Sequence, residues 1–202
     1  AARTIATKIA REFGEKINFG TVIKDAIHEV AILVDSTGSM SSLINQYSAE
    51  AKKLAERVLR GGGRVSLFEY RDLTDGFVPR QHCDFSCTIK QFNEQISRLD
   101  TNGGGDTPES ALSAILTTMN SLKWTNGATK SLVLLTDAPY HTPDYDGATL
   151  EQVIQRSLEI DPVNIYVMTD ANNQAAYQSL AEGTNGKVFD IATGLADSTE
   201  EI

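Results

Sequence analysis

Five short stretches of the chain are apolar almost throughout and rich in branched side chains: 28–35 (HEVAILVD), 64–70 (RVSLFEY), 130–137 (KSLVLLTD), 163–170 (VNIYVMTD) and 186–192 (GKVFDIA). Runs of this kind fit strands buried on both faces better than the strict alternation of a half-exposed sheet. Between them the apolar positions recur at helical spacing. Ile44, Tyr47, Ala51, Leu54 and Val58 form one stripe, Ala111, Leu112, Ile115, Leu116 and Met119 a second, and Leu150, Val153, Ile154 and Leu158 a third. Each predicts a helix laid against the strands. Residues 81–87 (QHCDFSC) read as a short edge strand and 88–99 (TIKQFNEQISRL) as a further helix. Ile5, Ile9, Phe13 and Ile17 predict an amphipathic helix within residues 3–18, so that 1–27 form a lead-in or linker and 28–202 the domain. Strand and helix alternate, which predicts an α/β fold: a doubly wound, mostly parallel sheet of about six strands with helices on both faces.

In an open parallel sheet, ligands gather at the carboxyl ends of the strands where strand order reverses. The strand endings are therefore where chemistry is to be sought. The first run ends at Asp35, and Ser36, Thr37 and Ser39 follow before a helix; the run at 130–137 ends at Asp137. Between them NGGGDTPES (102–110) has three glycines that permit a tight loop, then Thr107, with Pro108 and Glu109 opening a helix. Any one of these hydroxyls alone is an ordinary helix cap, and any one aspartate an ordinary turn residue. Together they place two carboxylates and several hydroxyls at one sheet edge. A set of oxygen ligands suits a hard divalent cation, magnesium first, with manganese or calcium as alternatives.

Composition narrows the partners. The 202 residues are 41% hydrophobic, enough for a substantial core, and carry 18 basic against 27 acidic side chains for a formal charge of −9. Nucleic acid and anionic lipid need a concentrated basic surface, so a protein or a cation is the expected partner. No apolar run approaches the roughly 20 residues of a membrane span, and direct membrane insertion is not expected. The chain opens Ala-Ala, which fits a monomeric module cut from a longer or processed protein. Cys83 and Cys87 lie too close together for a multi-bridge scaffold or a four-ligand zinc site, and they read as inert thiols or one local disulfide. Asp72 reads as the cap of the turn after the second strand, and Tyr140 and His141 as solvated loop residues on the rim of the site.

DSTGSM (35–40), GGGDTPE (103–109) and LLTDAPYH (134–141), in this order and separated by strand and helix patterns, resemble the three parts of the metal-ion-dependent adhesion site of a von Willebrand factor type A domain. The resemblance covers residues 28–192. The family writes its first motif D-x-S-x-S, and here Thr37 replaces the middle serine. YRD (70–72) and the wording of the later motifs are similar to the hemicentin-like and alpha-kinase-associated branch. The resemblance implies a Rossmann-like fold and a non-enzymatic, metal-dependent protein-binding module. Thr37, Ser39 and Thr107 would supply metal ligands, and Asp35 and Asp137 would act directly or through water. A partner would present an Asp or Glu carboxylate to the ion. Extracellular or cell-surface placement is favoured because adhesive relatives dominate that setting, with a cytoplasmic one open. A competing reading is a magnesium-dependent aspartyl phosphotransferase of the haloacid dehalogenase type with Asp35 as nucleophile, since DSTGS is similar to the Asp-Lys-Thr-Gly-Thr of its pump members. Against it, the pump lysine is replaced by Ser36, the usual second aspartate by Thr37, and no basic residue and acidic pair follow in order.

Overall fold

A computed structural model describes residues 27–193, so the helix expected within 3–18 lies outside the described residues. Six strands form one sheet: β1 (His28–Asp35), β2 (Arg64–Tyr70), β3 (Arg80–Cys83), β4 (Thr129–Leu135), β5 (Val163–Thr169) and β6 (Val188–Asp190). Their order is β3-β2-β1-β4-β5-β6, and every pairing is parallel except β2 with β3. Five helices cover it: α1 (Ile44–Arg60), α2 (Ile89–Ile96), α3 (Ala111–Ser121), α4 (Leu150–Glu159) and α5 (Gln174–Gly183). This is the α/β, mostly parallel, doubly wound sheet that the alternating pattern predicts.

β1 lies at the centre, buried from Glu29 onward. Its alternate side chains feed two cores. Val30, Ile32 and Val34 meet Tyr47, Ala51 and Leu54 of α1 and Phe92 and Ile96 of α2. Ala31 and Leu33 meet Leu112 and Ile115 of α3, Val153 of α4 and Tyr177 and Leu180 of α5. Removing each such leucine, isoleucine or phenylalanine side chain from water contributes about 1.5–3 kcal/mol, which is why the runs lack polar alternation.

The departures from expectation have local causes. β4 stops at Leu135, leaving Thr136 and Asp137 on the loop beyond it. The edge strand is cut to Arg80–Cys83, with irregular register against β2, and Cys83 is joined to Cys87 by a disulfide. β6 shrinks to three residues because Ile191–Thr193 curl into a 3-10 turn. α5 has no counterpart in the sequence reading. Only Tyr177, Leu180 and Ala181 of its ten residues are buried, a stripe too thin to register as periodicity. α2 and α4 each start at a threonine whose hydroxyl accepts from the main chain three residues on, with a glutamine side chain reciprocating at Thr88 and Thr149.

Candidate metal centre

Strand order turns back between β1 and β4, so the crevice beyond their carboxyl ends is the place where the fold gathers side chains. Val34 pairs with Leu135, and the residues that follow them, Asp35 at the end of β1 and Thr136 just beyond β4, therefore meet across the gap. Asp35 is fully buried. Its Oδ1 accepts from the Thr37 amide (2.9 Å) and hydroxyl (2.7 Å), and its Oδ2 accepts from the hydroxyls of Thr136 (2.7 Å) and Tyr70 (3.3 Å). Burial nevertheless pushes its carboxyl up to about 6, against the hydrogen bonds of Thr136 and Thr37 and with Asp137 adding repulsion.

The hydrogen bonds continue outward. Thr37 Oγ1 lies 3.2 Å from Ser39 Oγ, and Ser39 donates to Asp137 Oδ1 at 2.9 Å. Burial raises Asp137 as well, opposed by the Ser39 hydrogen bond, while Asp170 raises it further. The loop that carries Asp137 is fixed from both faces of the sheet. Tyr47 of α1 donates to Thr136 O (2.9 Å), Tyr177 of α5 donates to Ala138 O (2.7 Å), and the Asn173 amide donates to Asp137 O (2.7 Å). Ser36 turns the other way. Its hydroxyl donates to Glu69 Oε1 (2.7 Å) and accepts from Arg71 Nε (3.0 Å), tying the loop to β2 and leaving Thr37 and Ser39 to face the site.

The glycine-rich loop docks onto this assembly through its main chain. Asn102 N donates to Ser36 O and Gly38 N to Gly103 O, both at 3.0 Å. Gly103 and Gly104 have φ of +76° and +74°, a region that L side chains rarely adopt. A Cβ on Gly104 would lie 2.9 Å from Glu109 Oε1 and 3.0 Å from Thr37 Cβ. The Glu109 carboxylate thus borders the site, a placement the sequence reading missed because it treated this residue as part of a helix start. Glu109 is 2% exposed, its Oε2 has no hydrogen-bond partner, and its carboxyl is pushed up to about 8 by burial and by Asp35, Asp72, Asp75 and Asp106. Thr136 was hidden by standing next to the more conspicuous Asp137.

Of the five expected ligands, the structure joins Asp35, Thr37, Ser39 and Asp137 in one chain of hydrogen bonds. Thr107 is exposed on the adjoining loop and stands outside that chain. The donor set fits a hard cation. Every side-chain donor is oxygen, one buried carboxylate oxygen lacks a partner, and none of Asp35, Glu109 and Asp137 forms an ion pair with a basic side chain among the described residues. The same geometry is unfavourable to Asp35 as a nucleophile. Both of its oxygens are engaged by donors and it has no exposed side along which a phosphoryl group could approach in line.

The rim departs from expectation. His141 is only 16% exposed, and its Nε2 lies 3.2 Å from Asp72 Oδ2. Tyr140 packs edge-on against Tyr177. The cause is a bridge between loops, in which Glu109 N donates to Pro139 O (2.9 Å) and His141 N to Glu109 O (3.1 Å), drawing 139–141 inward. Asp72 caps its turn as expected, accepting from Thr74 N at 2.6 Å.

Comparison with known proteins agrees with this architecture. The alpha-protein kinase vwkA of Dictyostelium discoideum is 27% identical over 134 residues, which is 64% of this chain and 21% of that protein. The chain therefore spans about a fifth of the relative. Among solved structures, the SpRpn10 VWA domain superposes with a TM-score of 0.64 at 11% identity, over 87% of this chain and 94% of that one. Proximal thread matrix protein 1 from the mussel byssus superposes with a TM-score of 0.64 at 11% identity, over 88% of this chain and 45% of that one. At such identities the likeness is one of fold. The sequence model of the von Willebrand factor A domain matches residues 29–193, nearly all that the structure describes, and the chain belongs to that family.

Proposed function

We propose that the chain is a divalent-cation-dependent protein-binding module without catalytic activity, in which Thr37, Ser39 and Thr107 hold the ion through neutral oxygens and Asp35 and Asp137 offset its charge from close by. The observation that carries this reading is the continuous series of hydrogen bonds from Asp35 through Thr37 and Ser39 to Asp137. It sets hydroxyl oxygens between two carboxylates whose charges burial leaves under-compensated. Magnesium, the proposed ion, would supply there a Lewis-acidic position able to take a carboxylate oxygen in place of water. The chain's own part is orientation. Thr136 and the Thr37 amide hold Asp35 rigid, Tyr47 and Tyr177 fix the main chain around Asp137, and the Gly103–Gly104 turn brings the Thr107 loop alongside.

The partner presents an Asp or Glu side chain, and the loops 71–80 and 138–148 around the crevice set which protein it is. The net charge of −9 slows the approach of an acidic ligand, but that repulsion is screened over a Debye length of about 8 Å, whereas ion–carboxylate contact acts at about 2 Å. Affinity is therefore decided at short range. The Cys83–Cys87 bridge supports an extracellular or cell-surface setting, since such bonds persist in oxidising compartments; free thiols at both positions in protein taken from its native source would sink that placement.

The experiment is a thermal and calorimetric titration of chelator-treated protein with magnesium, in wild type and Ser39→Ala. Saturable binding that raises the melting temperature in wild type only is expected, because a ligand specific to the native state stabilises it. Absence of both heat and stabilisation at excess magnesium defeats the proposal.

A further inference from the structure

Near the proposed magnesium centre, where His141 N donates to Glu109 O, a second group of side chains is gathered that the first does not use. Asp72 follows β2, Asp106 lies in the glycine-rich loop, and His141 lies in the loop after β4, so three separate segments contribute one residue each. One ligand atom from each lies within 4.8 Å of the other two. His141 Nε2 is 3.2 Å from Asp72 Oδ2 and 3.9 Å from Asp106 Oδ2. We propose that Asp72, Asp106 and His141 form a second cation site that takes a metal with an affinity for imidazole, zinc foremost, and leaves one coordination position open to solvent.

Ligand chemistry separates this site from its neighbour. The centre at Asp35 offers hydroxyls and carboxylates only, the preference of magnesium, whereas the imidazole of His141 adds a ligand that suits zinc and not magnesium. The spacing agrees. Tetrahedral zinc with ligands at about 2.0–2.1 Å has ligand–ligand edges of about 3.3 Å; the His141–Asp72 edge of 3.2 Å already matches, while the His141–Asp106 edge of 3.9 Å and the Asp72–Asp106 edge, within 4.8 Å, close as the exposed Asp106 moves in. Each carboxylate is already oriented by a donor of its own. Thr74 N donates to Asp72 Oδ1 at 2.6 Å, and Tyr145 OH donates to Asp106 Oδ2 at 3.0 Å. Outer partners of this kind fix metal-binding carboxylates. The exposure gradient supplies an entry path, from Asp72 with no exposure, through His141, to Asp106 at 48%.

Charge supplies the independent reason. None of Asp72, Asp75, Asp106 and Glu109 has a lysine or arginine ion-pair partner among the described residues, and His141 is the basic side chain that Asp72 and Asp106 share. Glu109, 2% exposed, keeps Oε2 without a partner within this field. A proton on His141 would supply one positive charge, and a divalent ion would supply two.

The test is titration of the full chain with zinc at pH 7.5 against a chromophoric chelator, with cobalt as a spectroscopic probe. One zinc per chain is expected, with cobalt giving the intense absorption of a low-coordinate site. Ser39→Ala should leave zinc affinity within two-fold, while Asp106→Asn and His141→Ala should each weaken it at least ten-fold. Asp106 is exposed, so its substitution keeps the test valid even where His141→Ala disturbs folding. No zinc binding, or zinc binding that disappears in Ser39→Ala and survives Asp106→Asn, overturns the proposal. In the first case the cluster is only a hydrogen-bonded group around His141, and in the second zinc merely enters the other centre. Magnesium titration of wild type is read separately, so loss of one site does not stand for loss of the other.

Discussion

Thr136→Val changes one hydroxyl to a methyl at a fully buried position without changing shape. The hydroxyl donates to Asp35 Oδ2 at 2.7 Å and accepts from Ala138 N at 3.2 Å, so it links the end of β1 to the loop that carries Asp137. Its loss leaves Oδ2 with only the longer Tyr70 contact and leaves Ala138 N without its acceptor. A hydrogen bond to a charged group contributes about 1.5–3 kcal/mol, and a stranded buried donor adds to the cost. The expected destabilisation is about 2–4 kcal/mol, or about 4–16 °C in melting temperature for a domain of this size. Magnesium affinity should fall about ten-fold, because Asp35 loses the contact that orients it. The control is Thr169→Val, the same substitution at another fully buried position, where the hydroxyl has no hydrogen-bond partner. Removing an unsatisfied polar group is neutral or stabilising. Urea denaturation of both variants at pH 7.5, with chelator and then with magnesium, reads the difference. If Thr136→Val loses no more than Thr169→Val, the hydroxyl does not hold Asp35 and the reasoning fails.

Two further predictions concern charge. Glu109 is raised by burial and by four neighbouring aspartates to about 8, above its ordinary 4.5, so the stability tied to its protonated form is fully present below 4.5 and lost as pH rises through about 8; in chelator, Glu109→Gln should therefore be more stable than wild type at pH 9, with the gap narrowing as pH falls from about 8 and closing towards 4.5, and an unchanged gap counts against this placement of the carboxylate. Glu69 has the opposite sign: burial would raise it, but hydrogen bonds from His82 and Ser36 and the charges of His82 and Arg71 together hold it below 4.5. Its contribution is complete above pH 4.5 and is lost as pH falls through the lowered value, so acid unfolding of wild type should be steeper than that of Glu69→Gln, and superimposable curves would show that the network around Ser36 adds nothing.

How much of this was legible in the sequence depended on whether a feature is local. The strands β1, β2, β4 and β5 are unbroken apolar runs because both faces of the sheet are covered, and a run of that kind identifies itself. α5 was not legible because Tyr177 and Leu180 bury it with little help from the rest of its length, and alanine at the other contact leaves no periodicity to read. The same limit applied to the rim. Asp72 and His141 are 69 positions apart, and what joins them is the bridge between Glu109 and Tyr140, a pairing of two loops that no pattern within either loop announces.

The candidate metal centre shows why a site can be read at one depth and missed at the next. Asp35, Thr37 and Ser39 sit at fixed spacing because one turn after β1 must present alternate side chains to the same crevice, and that constraint is written in consecutive residues. Ser36, between them, must face away, and it does so by pairing with Glu69 on the neighbouring strand and Arg71 just beyond its end. The supporting groups answer to a different demand. Thr136, Tyr47 and Tyr177 hold main-chain and carboxylate positions from three elements, and any element with a hydroxyl at the right height would serve. Their identity follows from the register of β1 on β4 and from the packing of α1 and α5 on the sheet, which exist only once the sheet is assembled. The spacing of the candidate ligands is thus encoded along the chain, while the rigidity and charge balance around them are encoded across it.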